Sequence, residues 1–179
     1  DEITDASLAN EIINTFNTKI SLDSKIGAVN VPCLFYYKQK RLKGTIWGGV
    51  NRRVYLVNTD RFEFSPGVHA GRKLKKGFES YSIKFTGSNA VHHYWMNSFK
   101  QLKEKHKRYI KQEGKARYEN GKRTNIKNII KIPYREFKKC FYTRKGYKDK
   151  LTGLFLSLFW VWYSLSAEIS LLKFQKRQK

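Results

Sequence analysis

The seventeen residues from Leu151 to Ala167, LTGLFLSLFWVWYSLSA, carry no charge, and they follow a stretch of opposite character. Residues 100–150 hold 19 Lys and Arg against 5 Asp and Glu, more than half of a formal net charge of +23. Any fold must bury or dock the first segment while keeping the second solvated. Crossing a hydrocarbon core of about 30 Å takes roughly 20 residues at ~1.5 Å each. The apolar run is short for that, Thr152, Ser157, Ser164 and Ser166 interrupt it, and Glu168 closes it. Both flanks are basic, from Lys138 to Lys150 on one side and from Lys173 to Lys179 on the other, whereas a single span carries a one-sided bias. The pattern predicts an amphipathic helix within 151–179 that lies in the interface of an anionic membrane surface, with Trp160, Trp162 and Tyr163 at headgroup depth. An ordinary core or dimer helix would carry the same run.

A charge of +23 on 179 residues exceeds what solubility requires and points to an anionic partner: nucleic acid, a phosphorylated ligand or an acidic membrane. The length suits one globular body with appendages. Cys33 and Cys140 stand far apart with no second pair at metal-ligand spacing, so neither a zinc site nor a disulfide framework is indicated, and a reducing compartment is expected. The opening DEITDASLANEI has no basic start and no apolar run of signal-peptide type.

From Asp5, Leu8, Ile12, Ile13 and Phe16 predict one face of an amphipathic helix, with Thr4 as N-cap. Runs rich in β-branched and aromatic residues at 28–31, 33–37, 54–57 and 81–85 predict strands, so residues 26–92 read as a sheet region. Two glycine-bearing loops interrupt it, 45–50 and 65–71, and a plain turn is the commoner reading of each. In VHHYWMNSFK, alternation along a strand sends His92 and His93 to opposite faces. Ser98 then starts a lysine-rich helix with Phe99, Leu102, His106, Tyr109 and Ile110 on one face, and Gly121 ends it.

Taken in order, Asp1-Glu2 before a helix, Trp47-Gly48-Gly49, Val68-His69, VHHYWMNSFKQLKEKHKRY and PYREFKKCFYTRKGYKDKLTGLFLSLFWVWY resemble the second half of a bacterial family 2 glycosyltransferase. The likeness is to the branch similar to lipopolysaccharide core β-glucosyltransferases. That branch carries an Asp-x-Asp-Glu motif, a later His-Glu, a His-Tyr followed by Lys and Tyr, and a Gly-x-x-Asp-Gly-x-x-Gly tail. The resemblance implies an α/β chain, the C-terminal part of a GT-A-like fold with a basic helical extension. Its divisions would be 1–110 for the catalytic portion, 111–150 for a basic connector, and 151–179 for the membrane-associated helix and tail.

It also implies a chemistry. Sugar transfer expels a nucleotide diphosphate, and a divalent Mg or Mn bridging its oxygens offsets the developing charge. The resemblance gives the metal to Asp1 and His93. It gives the donor diphosphate or acceptor to Trp47, Gly48, Gly49, His92, Lys100, Lys105, Arg108 and Tyr109. An inverting transferase needs a base for the acceptor hydroxyl. Ala70 stands where family members have glutamate, which leaves His69, Glu63 or Asp60 for that role. In the tail, Asp149 and Gly153 persist while Lys150 replaces a glycine, and a structural role is expected there.

The implied function is transfer of a sugar from a nucleotide-sugar donor to a lipopolysaccharide-type glycan or lipid-linked acceptor, in the cytoplasm and peripheral on the inner face of a bacterial membrane. Donor-nucleoside binding would belong to strands ahead of Asp1. The alternative is a non-catalytic membrane-associated remnant. No nucleic-acid partner is expected: the aromatics of the Ser98 helix fall on its apolar face rather than among the lysines, and no RRM, KH or helix-turn-helix spacing is present.

Overall fold

The computed structural model describes residues 2–20, 25–64 and 72–178. The chain is mixed α/β, with a mixed sheet and four α-helices among the described residues. It divides into two compact units, one made of Asp1–Tyr36 with Gly49–Trp95, the other of Tyr37–Gly48 with Met96–Lys179.

In the first unit the sheet is built around β2 (Ile26–Tyr37), named here after β1 (Glu2–Thr4) and α1 (Ala6–Lys19). β4 (Asn51–Val57) pairs with β2 antiparallel and β7 (Glu79–Ser82) pairs with it parallel. β8 (Val91–Met96) also lies beside β2 and carries β1 on its other edge, while the short β3 (Lys40–Arg41) belongs to the second unit. A separate two-stranded ribbon joins β5 (Phe62–Phe64) to β6 (Arg72–Leu74). Leu8, Val29, Val31, Cys33, Ile83 and Val91 form the core, with Ile12, Leu56 and Tyr81 packed against it.

Two local expectations change. β2 runs unbroken through Pro32, where the sequence suggests two strands; Pro32 gives up one ladder donor, but Val31 and Cys33 on either side are fully buried and hold the segment in the sheet. In α1 the N-cap residue is Asp5, not Thr4. Its carboxylate caps no helical N–H and turns instead to Ala90, just before β8, and to His92 on that strand. Leu8 and Thr15 are buried in this helix, while Ile13 and Phe16 are exposed. Leu8, Ile12 and Thr15 follow the i, i+4, i+7 line of one face, and positions i+5 and i+8 rotate away from it.

The second unit is helical. Ser98 caps α2 (Phe99–Glu119) by accepting from the N–H of Gln101 at 3.2 Å, and Gly121 ends the turn beyond it at φ +76°. α2 passes residue 110 without a break. Asn125 caps α3 (Ile126–Phe137), which continues through a π-helical turn at Lys138–Thr143 and a 3-10 turn at Gly146–Asp149 into α4 (Lys150–Arg177). α4 packs against both α2 and α3. The residues it buries are Gly153, Leu156, Ser157, Phe159, Tyr163, Ala167 and Leu171, each three or four positions from another, and so they form one stripe.

Polar contacts fix these helices against one another. Arg117 of α2 donates to Glu113 at 2.5 Å and to Glu168 of α4 at 3.1 Å, and the Tyr163 hydroxyl donates to Glu113 at 2.9 Å. Glu136 of α3 is buried and accepts from the Trp160 indole N–H at 2.9 Å. At the far end, Gln175 and the backbone of Thr124 exchange two hydrogen bonds. By length and composition α4 could cross a membrane.

Candidate functional site

The two histidines of VHHYWM lie within β8, beside β1, in a register that pairs Glu2 with His93 and Ile3 with His92. The pleat sends their side chains to opposite faces, as the alternation predicts. On one face, the Glu2 carboxylate accepts from His93 and from the Arg53 guanidinium of β4. Arg53 also approaches His93 Nδ1 to 3.2 Å, and the His93 ring packs 5.0 Å from that of Phe35. Burial acts to raise the Glu2 pKa, but hydrogen bonds and charge from Arg53 and His93 outweigh it and hold the carboxyl below its ordinary value.

On the other face, Asp5, His92 and Tyr36 form a chain. Asp5 accepts from the N–H of Ala90 at 3.1 Å and lies 3.0 Å from His92 Nε2, while His92 Nδ1 lies 2.7 Å from the Tyr36 hydroxyl. A carboxylate only accepts, so Nε2 carries the proton and Nδ1 accepts from the hydroxyl. Tyr36 in turn stacks on Tyr94 at 4.7 Å. Burial opposes ionisation of Asp5, yet bonds from His92 and Ala90 win and its pKa is lowered. This chain can hold a proton on His92 and orient the Tyr36 hydroxyl.

Glu2 and His93 offer one oxygen and one nitrogen donor, but His93 Nδ1 is engaged with Glu2 and the Arg53 guanidinium binds the same carboxylate. Among the described residues no group of three or more His, Cys, Asp and Glu could hold a metal ion. As they stand, the described residues therefore do not fit a divalent Mg or Mn. Asp1, the other expected metal ligand, lies outside the described residues, as does His69.

The remaining expected site residues are divided between the units. Asp60 sits in a 3-10 turn closed by its N–H to Asn58 Oδ1 at 3.0 Å, and Glu63 on β5 pairs with Lys73 across the ribbon at 3.5 Å. Gly49 adopts φ +75°. In the helical unit, Trp47 packs edge-on against His106 and Trp160, with ring centroids 6.3 and 5.7 Å away. Gly48 lies so close to the backbone of Gly44 that a Cβ would collide with it. Lys100 and Arg108 are exposed on α2, Lys105 is half-buried, and Tyr109 packs against the His106 ring.

His106 itself is buried among Phe159, Tyr163 and Trp47. Its Nδ1–H donates to the Leu102 carbonyl at 2.8 Å, and burial pushes its pKa down. Asp149, in the tail motif, accepts from the N–H groups of Lys43 and Gly44. Gly44, Gly146 and Gly153 all make backbone approaches that a side chain would block. The motif thus locks a loop to the base of α4.

Sequence reasoning did not single out Arg53, Asp5 or Tyr36. Arg53 directly precedes the β-branched and aromatic run 54–57, which marks a strand but carries no sign of the acidic partner 51 positions away. Comparison with protein-family models, with curated proteins and with solved structures finds no match.

Proposed function

We propose that the chain is part of a GT-A-type glycosyltransferase, similar to family 2, that moves a sugar by inversion from a nucleotide-sugar donor to a lipid-linked or lipopolysaccharide-type acceptor at an anionic membrane surface. One observation carries the reading. Glu2, the neighbour in sequence of the Asp1 that the resemblance groups with His93, stands 91 positions from His93 and is its register partner on the neighbouring strand.

The chain's own residues suit such a site. Arg53 and His93 bring donors and positive charge to the place where a diphosphate would gather negative charge, and Glu2 holds both in position. On the opposite face, Asp5 fixes the His92 tautomer. Divalent metal enters this proposal only through Asp1, and no step is assigned to it. The lysine-rich α2 packs along α4, so a spanning α4 would draw those lysines into hydrocarbon; a surface position keeps them solvated.

The test is release of nucleoside diphosphate by the protein purified from its natural source, with a panel of nucleotide sugars and anionic vesicles, in Mg or Mn and after chelation. Release that falls at least about tenfold in His93→Ala and Glu2→Gln supports the proposal. Release unchanged in both variants, or absent with every donor, overturns it in favour of the non-catalytic membrane-associated remnant.

A further inference from the structure

α3 lies within the segment read from sequence as a basic connector, yet its surface has three distinct faces. Ile132 and Glu136 are buried in the helical unit. Ile126, Ile130 and Tyr134, at i, i+4 and i+8, form a second apolar line that points outward, 63, 71 and 74 % exposed. Beside that line, one position further on, run Lys127 and Lys131, and Lys138 continues the line itself one turn past Tyr134, all exposed. A helix that only packed on α4 would need one apolar face.

The outward line does not stop at α3. Ile126 and Lys127 line one wall of an open groove whose other wall is Leu172 and Lys176 of α4, so the two helices present apolar and basic side chains to the same side. From Lys122 to Lys150 there are eleven Lys and Arg, every one exposed. The two acids in that span are committed, Glu136 buried against Trp160 and Asp149 bound to the backbone of Lys43 and Gly44.

We propose that the outer face of α3, continued by the neighbouring face of α4, is a docking surface for an anionic lipid bilayer, on which α3 lies in the plane of the headgroups. Ile126 and Ile130 reach the acyl boundary, Tyr134 sits at headgroup depth, and the lysine row meets lipid phosphates. Charge complementarity selects this occupant, because a second copy of the chain would bring a second row of lysines against the first. Nucleic acid would satisfy the lysines but leave two isoleucines in water without a stacking surface.

Membrane contact is already part of the proposed function; this inference assigns it to a particular face. The two fail separately, since vesicle binding is read without any nucleotide sugar. The experiment is co-flotation of the whole protein with vesicles of neutral phosphatidylcholine, alone or with about a third anionic phosphatidylglycerol, an anionic content chosen to set up a negative surface potential. Binding to the anionic vesicles only is expected, weakened about tenfold or more by Ile126→Ser with Ile130→Ser, and about fivefold or more by Lys127→Gln with Lys131→Gln. The thermal midpoint should not move, because all four side chains are exposed. Equal binding to neutral vesicles, no binding, or binding untouched by the isoleucine pair overturns the proposal. So does self-association in free solution that the isoleucine substitutions abolish, which would give the face to a second copy.

Discussion

The Asp149 carboxylate accepts a hydrogen bond from the backbone N–H of Gly44 at 2.6 Å and another from that of Lys43 at 2.8 Å, across more than a hundred residues. A backbone amide buried without a partner costs about as much as a lost hydrogen bond, and bonds to a charged acceptor are worth roughly 1.5–3 kcal/mol. Asp149→Ala should therefore lower unfolding stability by about 2 kcal/mol, and Asp149→Asn, which keeps an acceptor oxygen without the charge, by less. Denaturant titration of the three proteins checks the order. Equal stabilities would mean that the loop is held by packing alone.

At Gly114 the backbone of α2 comes directly against α4. A Cβ placed there would lie 2.5 Å from the Ser170 carbonyl oxygen and 2.6 Å from its hydroxyl. In a free helix, Gly→Ala gains about 1 kcal/mol. Here the helices must separate, at a cost of about 1–3 kcal/mol, so Gly114→Ala is expected to be neutral to destabilising and Gly114→Val clearly destabilising. Thermal unfolding of both variants reads the sign; a stabilised Gly114→Val would refute the close crossing.

His106 makes stability depend on pH in a defined direction. Desolvation lowers its folded pKa below the ordinary ~6.5, with the charge of Lys105 acting in the same direction, so between the two values the unfolded chain binds more protons. This contribution is full above about pH 6.5 and is lost as pH falls through the folded pKa. The thermal midpoint should drop between pH 7.5 and 5.5, a window above the one in which the lowered carboxyls of Glu2, Asp5 and Glu136 act. In His106→Gln the drop in that window should shrink. An unaltered slope would place its origin elsewhere.

Arg53 competes with any divalent ion for Glu2 and His93. In Arg53→Met both donors lose that cation, and the Glu2 carboxyl should titrate closer to its ordinary value because the arginine's bond and charge are among the causes that lower it. Mn²⁺ binding, followed by the paramagnetic signal of the free ion, should strengthen by several-fold relative to wild type. Unchanged affinity would mean that Glu2 and His93 do not form part of an ion site even when unpaired.

Several elements were legible in the sequence for local reasons. Ser98 and Gly121 bracket α2 because a hydroxyl can accept from the first free amides and a glycine can turn the chain at positive φ. His92 and His93 part to opposite faces because the side-chain period of a strand is two. Others were less so. A glycine beside an aromatic at Trp47-Gly48 signals close approach without saying of what, and Trp47 packs on His106 and Trp160 within the helical unit. Thr4 looked like the cap of α1 because it precedes a helix, and Asp5 took that place with its carboxylate turned toward β8.

The sequence alone determined where α2 begins and ends, that His92 and His93 part to opposite faces, and that positive charge crowds residues 100–150, since these follow from residue type and a period of two or 3.6. Only the tertiary structure decided which faces meet. It joined Glu2 to His93 across 91 positions, put Arg53 on both, and turned one apolar line of α3 toward α4 and the other outward. Periodicity repeats every few residues and carries no record of a partner far along the chain, and α3 has two apolar faces for a single helix to cover. Only packing chooses between them.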